Sequence, residues 1–283
     1  MNGLSLVKKF SRMLTDRQVA ILMFLFKHKY FPRLNNPRSL SEKIQYIKLF
    51  NRNPLRSLVV DRLKVRNYVA YKSPSCKLVN VLWSGKGFTH EIWDSLPNAF
   101  VIKANHGSKM TMVVDKNEHS YKDVFAQSAD WLQKDYSALG REWMYRDLEK
   151  YLIVEEKLVI DGAVPPDYKF FSFNGRVEMV QVDLARFSSH RRNLYSRDFK
   201  KLDAKLAYPD AGNISKPVAY EKALKIAEEL SVDFDFIRVD LYLMNDDVFF
   251  GELTNTPENG FGKFTPTALD FELGSKLPAI IER

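Results

Sequence analysis

The 283-residue chain carries 43 lysines and arginines against 35 aspartates and glutamates, and its formal net charge of +8 favours an anionic partner such as a nucleotide, acidic sugar, phospholipid surface or nucleic acid. Its apolar fraction of 45%, with 20 phenylalanines, is ample for a sizeable core, and the length suits two or three packed subdomains. A single cysteine, Cys76, excludes an internal disulfide and fits a reducing compartment.

The chain starts with a basic flank and an apolar run from Val19 to Phe26. That run is too short to span a bilayer and no small-residue cleavage site follows, so the chain reads as cytoplasmic and soluble. Residues 19–31 read as a core helix in preference to a membrane-surface helix, because the run lacks a clean polar face. Up to about Tyr71 the pattern is helical. In "NPRSLSEKIQYIKLF" either Ser39 or Ser41 can cap, with Glu42 in the first turn, and Asp61 can cap "DRLKVRNYVAY".

From Cys76 strands enter. "KLVNVLW" and "AFVIKANHGS" are strand-like with a turn at Pro97-Asn98 between them, and "YKDVFAQSADWLQKDYSALG" is helical as far as Gly140. "YLIVEEKLV" is a strand. "YKFFSF" and "RVEMVQVDL" form a hairpin about Asn174-Gly175, and "PVAYEKALKIAEELS" is an amphipathic helix. The densest basic cluster, "SSHRRNLYSRDFKK", reads as a solvated face, with an acidic-substrate loop or a nucleic-acid contact as alternatives. No Gly-Phe RNA-binding signature, zinc-finger spacing or heptad array accompanies it.

The chemistry concentrates in "RVDLYLMNDDVFFGELTNTPENG". A three-residue loop at Asn245-Asp246-Asp247 sets Asp240 across from Glu252 and Arg238 across from Thr254, with Tyr242 and Phe250 on the same face. Opposed carboxylates repel when their Cβ atoms are roughly 4.5–5.5 Å apart, so a cation is expected between them. Mg²⁺, which takes one or two carboxylates plus substrate phosphates, fits that place, and Arg238 is aligned to hold a phosphate. An ordinary hairpin in which Arg238 itself pairs with the acids is the alternative.

Three further stretches point toward a nucleotide. In "FVIKANHGSKM" a strand carries Lys103 into a turn with His106, Gly107 and Ser108, where glycine lets backbone N–H groups approach phosphate. An ordinary Gly-Ser turn with His106 as a loop hydrogen-bonder fits the same residues. In "YLIVEEKLVIDG" the strand ends at Glu155-Glu156, which suits an adenine hinge or simply a strand reaching the surface. In "PPDYKFFSF" Lys169 sits inside an aromatic strand, where an unpaired ammonium is costly to desolvate, so it either snorkels outward or meets an anion such as ATP phosphate.

Taken in order, these parts resemble the ATP-grasp superfamily, and the hairpin is similar to the metal hairpin of D-alanine–D-alanine ligases. "NPRSLSEKIQYIKL", "DRLKVRNYV", "LPNAFVIKANHGS", "REWMY", "DYKFFSFNG" and "GELTNTP" resemble, across nearly the whole chain, the TupA-like ATP-grasp family of polysaccharide biosynthesis, often labelled glycosyltransferases. The resemblance implies an α+β fold in which two subdomains, 76–156 and 157–283, grip ATP between antiparallel sheets after a helical section, 1–75. It implies that Lys103 and Lys169 contact ATP phosphates, that the His106-Gly107-Ser108 loop closes over them, and that Glu155, Glu156, Lys157 and Leu158 form the adenine hinge. Asp240, Glu252 and Thr254 are the implied ligands of one or two Mg²⁺ ions, with Arg238 as the catalytic residue beside the transferred phosphoryl group. Thr254 stands where the wider superfamily has asparagine, and Asn255 faces away on a regular strand.

The implied activity is a carboxylate–amine ligase working through an acylphosphate, with an amino acid and a uronic-acid-bearing capsule or O-antigen glycan as substrates. Nucleic acid is not an implied partner, and peripheral contact with the inner face of the membrane is compatible with the charge. A kinase or glycosyltransferase-associated enzyme acting on a glycan precursor is a second reading. A non-catalytic basic protein that binds nucleic acid or anionic membrane is a third.

Overall fold

The computed structural model describes residues 14–160, 164–185 and 189–277. Four helices come first: α1 (Asp16–His28), α2 (Leu40–Phe50), α3 (Leu55–Val60) and α4 (Val65–Lys72). Thr15 with Gln18, and Ser39 with Glu42, form reciprocal caps that start α1 and α2. Glu42 also accepts from the backbone N–H groups of Arg33 and Arg38, which ties the connection between the two helices down. Ser41, the other candidate cap, instead holds Asp270. Asp61 accepts from the N–H groups of Leu63 and Lys64 in the turn that leads into α4. α1 is apolar on two sides, which explains its missing polar face: Ala20 and Phe24 are buried, while Leu22, Met23 and Phe26 are exposed. No helix among the described residues is long and apolar enough to cross a membrane.

The first sheet contains β1 (Val81–Gly85), β2 (Ala99–Ala104), β3 (Thr111–Asp115) and β4 (Leu152–Glu156), in the order β1-β4-β2-β3 with antiparallel pairs. A short helix, α5 (His90–Ser95), occupies the connection where only a Pro97-Asn98 turn is expected. The long helix expected to run to Gly140 is two helices, α6 (Tyr121–Gln133) and α7 (Tyr136–Gly140). Asp135 breaks it by capping the second, accepting from the Ala138 N–H and the Ser137 hydroxyl. Phe100, Ile102 and Val154 of the sheet pack with Val124 and Trp131 of α6.

The second sheet is built from β5 (Asp167–Phe173), β6 (Arg176–Leu184), β7 (Arg191–Ser196), β9 (Phe236–Met244) and β10 (Asp247–Thr254), ordered β10-β9-β5-β6-β7 and antiparallel throughout. A two-residue strand β8 (Lys205–Leu206) pairs with β11 (Phe264–Thr265), and helices α8 (Tyr220–Ser231) and α9 (Ala268–Ser275) complete the fold. Tyr168, Phe170, Val182, Val239 and Leu241 face α8 on one side of the sheet. The other side is divided. Phe171, Phe173, Met179, Leu194 and Phe236 pack against Leu40, Ile44 and Ile47 of α2, so the N-terminal helices share a core with this sheet. The remaining half of that face is polar and buried: Asp167, Lys169, Gln181, Asp183, Arg192, Arg238 and Asp240.

The basic stretch read as a solvated face runs through strand β7 and is solvated only in part: Arg191, Lys200 and Lys201 are exposed, while Arg192, Leu194 and Tyr195 are buried. The Arg192 charge is neutralised inside the fold, because Asp183 on β6 stands directly opposite it. Ser188 of that stretch, and Asp161 and Gly162 after the expected hinge, lie outside the described residues.

Asp270 on α9 gives stability a pH dependence of known sign. Its buried carboxylate accepts from the Ser41 N–H and hydroxyl, and burial pushes its pKa up from 3.8 to about 6. Between those values the folded state binds more protons than the unfolded one, so this group's contribution falls as pH rises through the window and is lost above it. The difference is about 3 kcal/mol at about 1.4 kcal/mol per pKa unit. Urea unfolding at pH 4 and pH 7 should show Asp270→Asn losing that part of the slope, and identical slopes in both proteins would remove the assignment.

Candidate active site

The β9–β10 hairpin reaches the expected opposition by a different route. Met244 pairs with Asp247 across a two-residue turn, with Asn245 in the left-handed region at φ 55°, so the loop is one residue shorter than expected. A bulge between Phe250 and Glu252 restores the register, and Asp240 stands opposite Glu252, with Arg238 opposite Thr254. Gly251 makes the bulge tolerable, since a Cβ there would come within 2.9 Å of the Asp240 carbonyl oxygen. The extra residue changes parity, and Phe250 therefore belongs to the core beside Leu241 and Leu253 instead of the polar face.

The cation between the opposed acids is Arg238. Its Nε and one terminal nitrogen each donate to Asp240 at 2.7 Å, and the same terminal nitrogen lies 3.3 Å from Glu252 and 3.0 Å from the Thr254 hydroxyl. Lys169, directly opposite Asp240 on β5, donates at 2.6 Å to Asp240 and to Asp167. Burial pushes the Asp240 carboxyl above its ordinary value, with Arg238 and Lys169 opposing that shift. Lys169 thus neither snorkels nor stands alone. Thr254 donates to Glu252 at 3.0 Å, whereas Asn255 turns away and exchanges hydrogen bonds with Arg56.

These residues fit Mg²⁺ as a partial ligand set. Two carboxylates and a hydroxyl converge, and among the described residues no group of three or more His, Cys, Asp or Glu side chains is arranged to enclose a metal. A hard cation here therefore needs oxygen from a phosphate or water, which is the usual habit of Mg²⁺.

The first sheet faces this cluster with Lys103, 2.5 Å from Glu155, and Arg66 adds a contact to Glu155 at 3.7 Å. Burial pulls the Lys103 ammonium below its ordinary pKa, with Glu155 pulling it back. Arg62 bridges the sheets: it donates to the Ala104 carbonyl at the end of β2 and lies 3.5 Å from Glu252. Glu156 points the other way, exposed and bonded to Asn80, while Lys157 and Leu158 are half-buried after β4. Gly107 is buried, and a Cβ there would meet Met110 and Tyr136, so the loop admits no side chain at that position. Ser108 is half-buried. His106 turns inward: its ring nitrogens lie 3.2 Å from Asn105 Oδ1 and 3.1 Å from the Trp131 carbonyl, and burial lowers its pKa. Its side chain anchors the loop, which corresponds to the loop hydrogen-bonder alternative.

Several residues of this cluster escape a reading of the sequence. Arg62, in the turn before α4, and Arg66, in its first turn, come from a segment that shows only helical periodicity, which gives no signal of their carboxylate partners. Asp167, Gln181, Asp183 and Arg192 occupy alternate positions on three strands, legible only once the strand order is known.

The model of the TupA-like ATP-grasp family matches residues 42–278. The chain belongs to the TupA-like ATP-grasp family. Its two antiparallel sheets and N-terminal helices form the ATP-grasp fold. Among solved structures it is similar to D-alanine–D-alanine ligase from Bacillus anthracis complexed with ATP, at 12% identity and a TM-score of 0.45, covering 78% of this chain and 63% of that one. It is also similar to the Helicobacter pylori D-alanine–D-alanine ligase, at 18% identity and a TM-score of 0.40, covering 78% and 62%. A third is N5-carboxyaminoimidazole ribonucleotide synthetase from Thermus thermophilus, at 10% identity and a TM-score of 0.38, covering 76% and 47%. The chain thus spans less than two thirds of the length of these structures. No curated protein gives a significant match.

Proposed function

We propose that this TupA-like ATP-grasp protein is an ATP-dependent carboxylate–amine ligase that joins an amino acid to a uronic-acid-containing cell-surface polysaccharide or its precursor. The observation that supports it is the charged cleft: Asp240, Glu252, Arg238 and Lys169 on one sheet face Lys103 and Glu155 on the other, with Arg62 between. ATP lies between the sheets, with adenine against the backbone of Glu156, Lys157 and Leu158 and phosphates against Lys103, Lys169 and the backbone of Gly107 and Ser108. Glu155, engaged by Lys103, positions that ammonium. Asp240, Glu252 and Thr254 would hold one or two Mg²⁺ ions, which neutralise the triphosphate and fix it for in-line transfer.

A substrate carboxylate oxygen attacks the γ-phosphorus, the bond to the β,γ-bridging oxygen breaks, and an acylphosphate and ADP result. Arg238 neutralises the charge on the transferred phosphoryl group. An amine then attacks the acyl carbon and phosphate leaves. Positioning and charge neutralisation by the lysines and Arg238 are the protein's main contributions.

Incubation with ATP, Mg²⁺, pooled amino acids and candidate uronic acids should give ADP, phosphate and a condensed amide visible by mass spectrometry. A stable phosphorylated acceptor without amide would favour the kinase reading, and absence of both would overturn catalysis on these substrates.

Cytoplasmic localisation with peripheral contact at the inner membrane face belongs to the same proposal. Exposed Leu22, Met23, Phe26 and Phe31 lie among exposed Arg17, Lys27, Lys29 and Arg33, and the one acid in residues 14–38, Asp16, is paired with Arg141. Such a surface suits an anionic bilayer. Vesicle flotation should recover the protein with anionic but not zwitterionic lipid; equal recovery would remove the assignment.

A further inference from the structure

The polar half-face continues past the acids, and its far part, Gln181, Asp183 and Arg192, lies beyond the residues assigned above to ATP and Mg²⁺. Along one register the residues run Glu252, Asp240, Lys169, Gln181 from β10 to β6. Gln181 is 1% exposed, and its Oε1 has no hydrogen-bond partner among the described residues. A buried acceptor without a donor is costly and rare.

Its orientation is fixed by chemistry. Nε2 donates to Asp183 at 3.0 Å, and a flipped amide would press Oε1 against that carboxylate. Asp183 is held as an anion by Arg192, which donates to both of its oxygens at 2.6 and 3.0 Å. Arg192 is fixed in turn by the Leu206 carbonyl at 3.1 Å and by Glu258 at 3.2 Å. Glu258 sits in a turn immediately after the hairpin where Glu258, Asn259 and Gly260 are left-handed in succession, at φ 48°, 55° and 70°. Consecutive left-handed residues of this kind are disfavoured for L-amino acids. That turn is locked by Gln45 and Lys48 of α2, which donate to Asn259. A chain of fixed groups thus ends in one free acceptor.

We propose that Gln181 Oε1 binds and orients the primary amine nucleophile of the ligase reaction, an inference that rests on the ligase reading above. Adjacent strands lie about 4.8 Å apart, so Gln181 is about 10 Å from the strand of Asp240, within the reach of a small substrate bound beside the transferred phosphate. A neutral amide oxygen, with Lys169 opposite on one side and Leu194 on the other, accepts an N–H without itself favouring the ammonium form as a carboxylate would, which leaves the nitrogen lone pair free. That lone pair forms the C–N bond, the acyl carbon–oxygen bond to phosphate breaks, and the surplus amine proton leaves with the phosphate.

The test compares the whole protein with Gln181→Leu, using glucuronate or galacturonate as the carboxylate and each common amino acid as the amine. Hydroxylamine at high concentration traps the acylphosphate as a hydroxamate without needing the amine subsite. The variant should form hydroxamate at the wild-type rate with unchanged KM for ATP, while KM for the amine rises roughly 2- to 12-fold, the loss of one hydrogen bond. Hydroxamate from both proteins with an unchanged amine KM overturns the amine subsite alone, as does equal loss of hydroxamate and amide. No hydroxamate from the wild type overturns the ligase reading and this inference with it.

Discussion

Glu252→Gln should lower ATP-dependent turnover by on the order of 10²–10³-fold while leaving the melting temperature near that of the wild type. Glu252 is 36% exposed, and its partners Arg238 and Arg62 keep other contacts, with Asp240 and with the Ala104 carbonyl. Glutamine keeps the shape and removes the charge that a divalent ion needs. Asp240→Asn should be equally inactive but also less stable, because Asp240 neutralises both Arg238 and Lys169 in a buried setting. Removing one partner from such a network costs about 3–5 kcal/mol. ADP release and thermal unfolding on the two variants separate these effects. Wild-type turnover in either variant contradicts the metal assignment, and equal stability in both contradicts the claim that Asp240 compensates two buried cations.

Lys103→Ala should weaken ATP binding by about 10- to 100-fold, the scale of a lost hydrogen bond to a charged group. The Lys103 side chain is 15% exposed beside Glu155, and burial already disfavours its charged form. An anion of high charge relieves that cost, so phosphate binding and the lysine's position support each other. Without Lys103, Glu155 keeps, among the described residues, the longer ion-pair contact to Arg66. Nucleotide titration by calorimetry measures the change, and unchanged affinity would remove Lys103 from the cleft.

The alternation in the last hairpin predicts the opposition of Asp240 and Glu252, which the structure reaches although the alternation itself is broken at Gly251. The detail was harder. A two-residue turn with a bulge at Gly251 gives the same acid pairing as a three-residue loop, and only the side on which Phe250 falls distinguishes them. His106 could not be placed from its neighbours, since the carbonyl that holds it belongs to Trp131 on a helix later in the chain. Arg192 reads as a surface charge until Asp183 is set opposite it by the β6–β7 register. Arg62 meets Glu252 across the cleft between the sheets, a contact that no local pattern encodes. Local periodicity located the strands that carry the chemistry, while cross-sheet contacts decided which charges met.

The most direct measurement is a crystal structure with a non-hydrolysable ATP analogue and Mn²⁺ as an anomalous stand-in for Mg²⁺. An anomalous peak bound by Asp240 and Glu252, with Arg238 swung from Asp240 onto the γ-phosphate, is the predicted result. Nucleotide bound with Mn²⁺ elsewhere, and Arg238 still clasping Asp240, would contradict it.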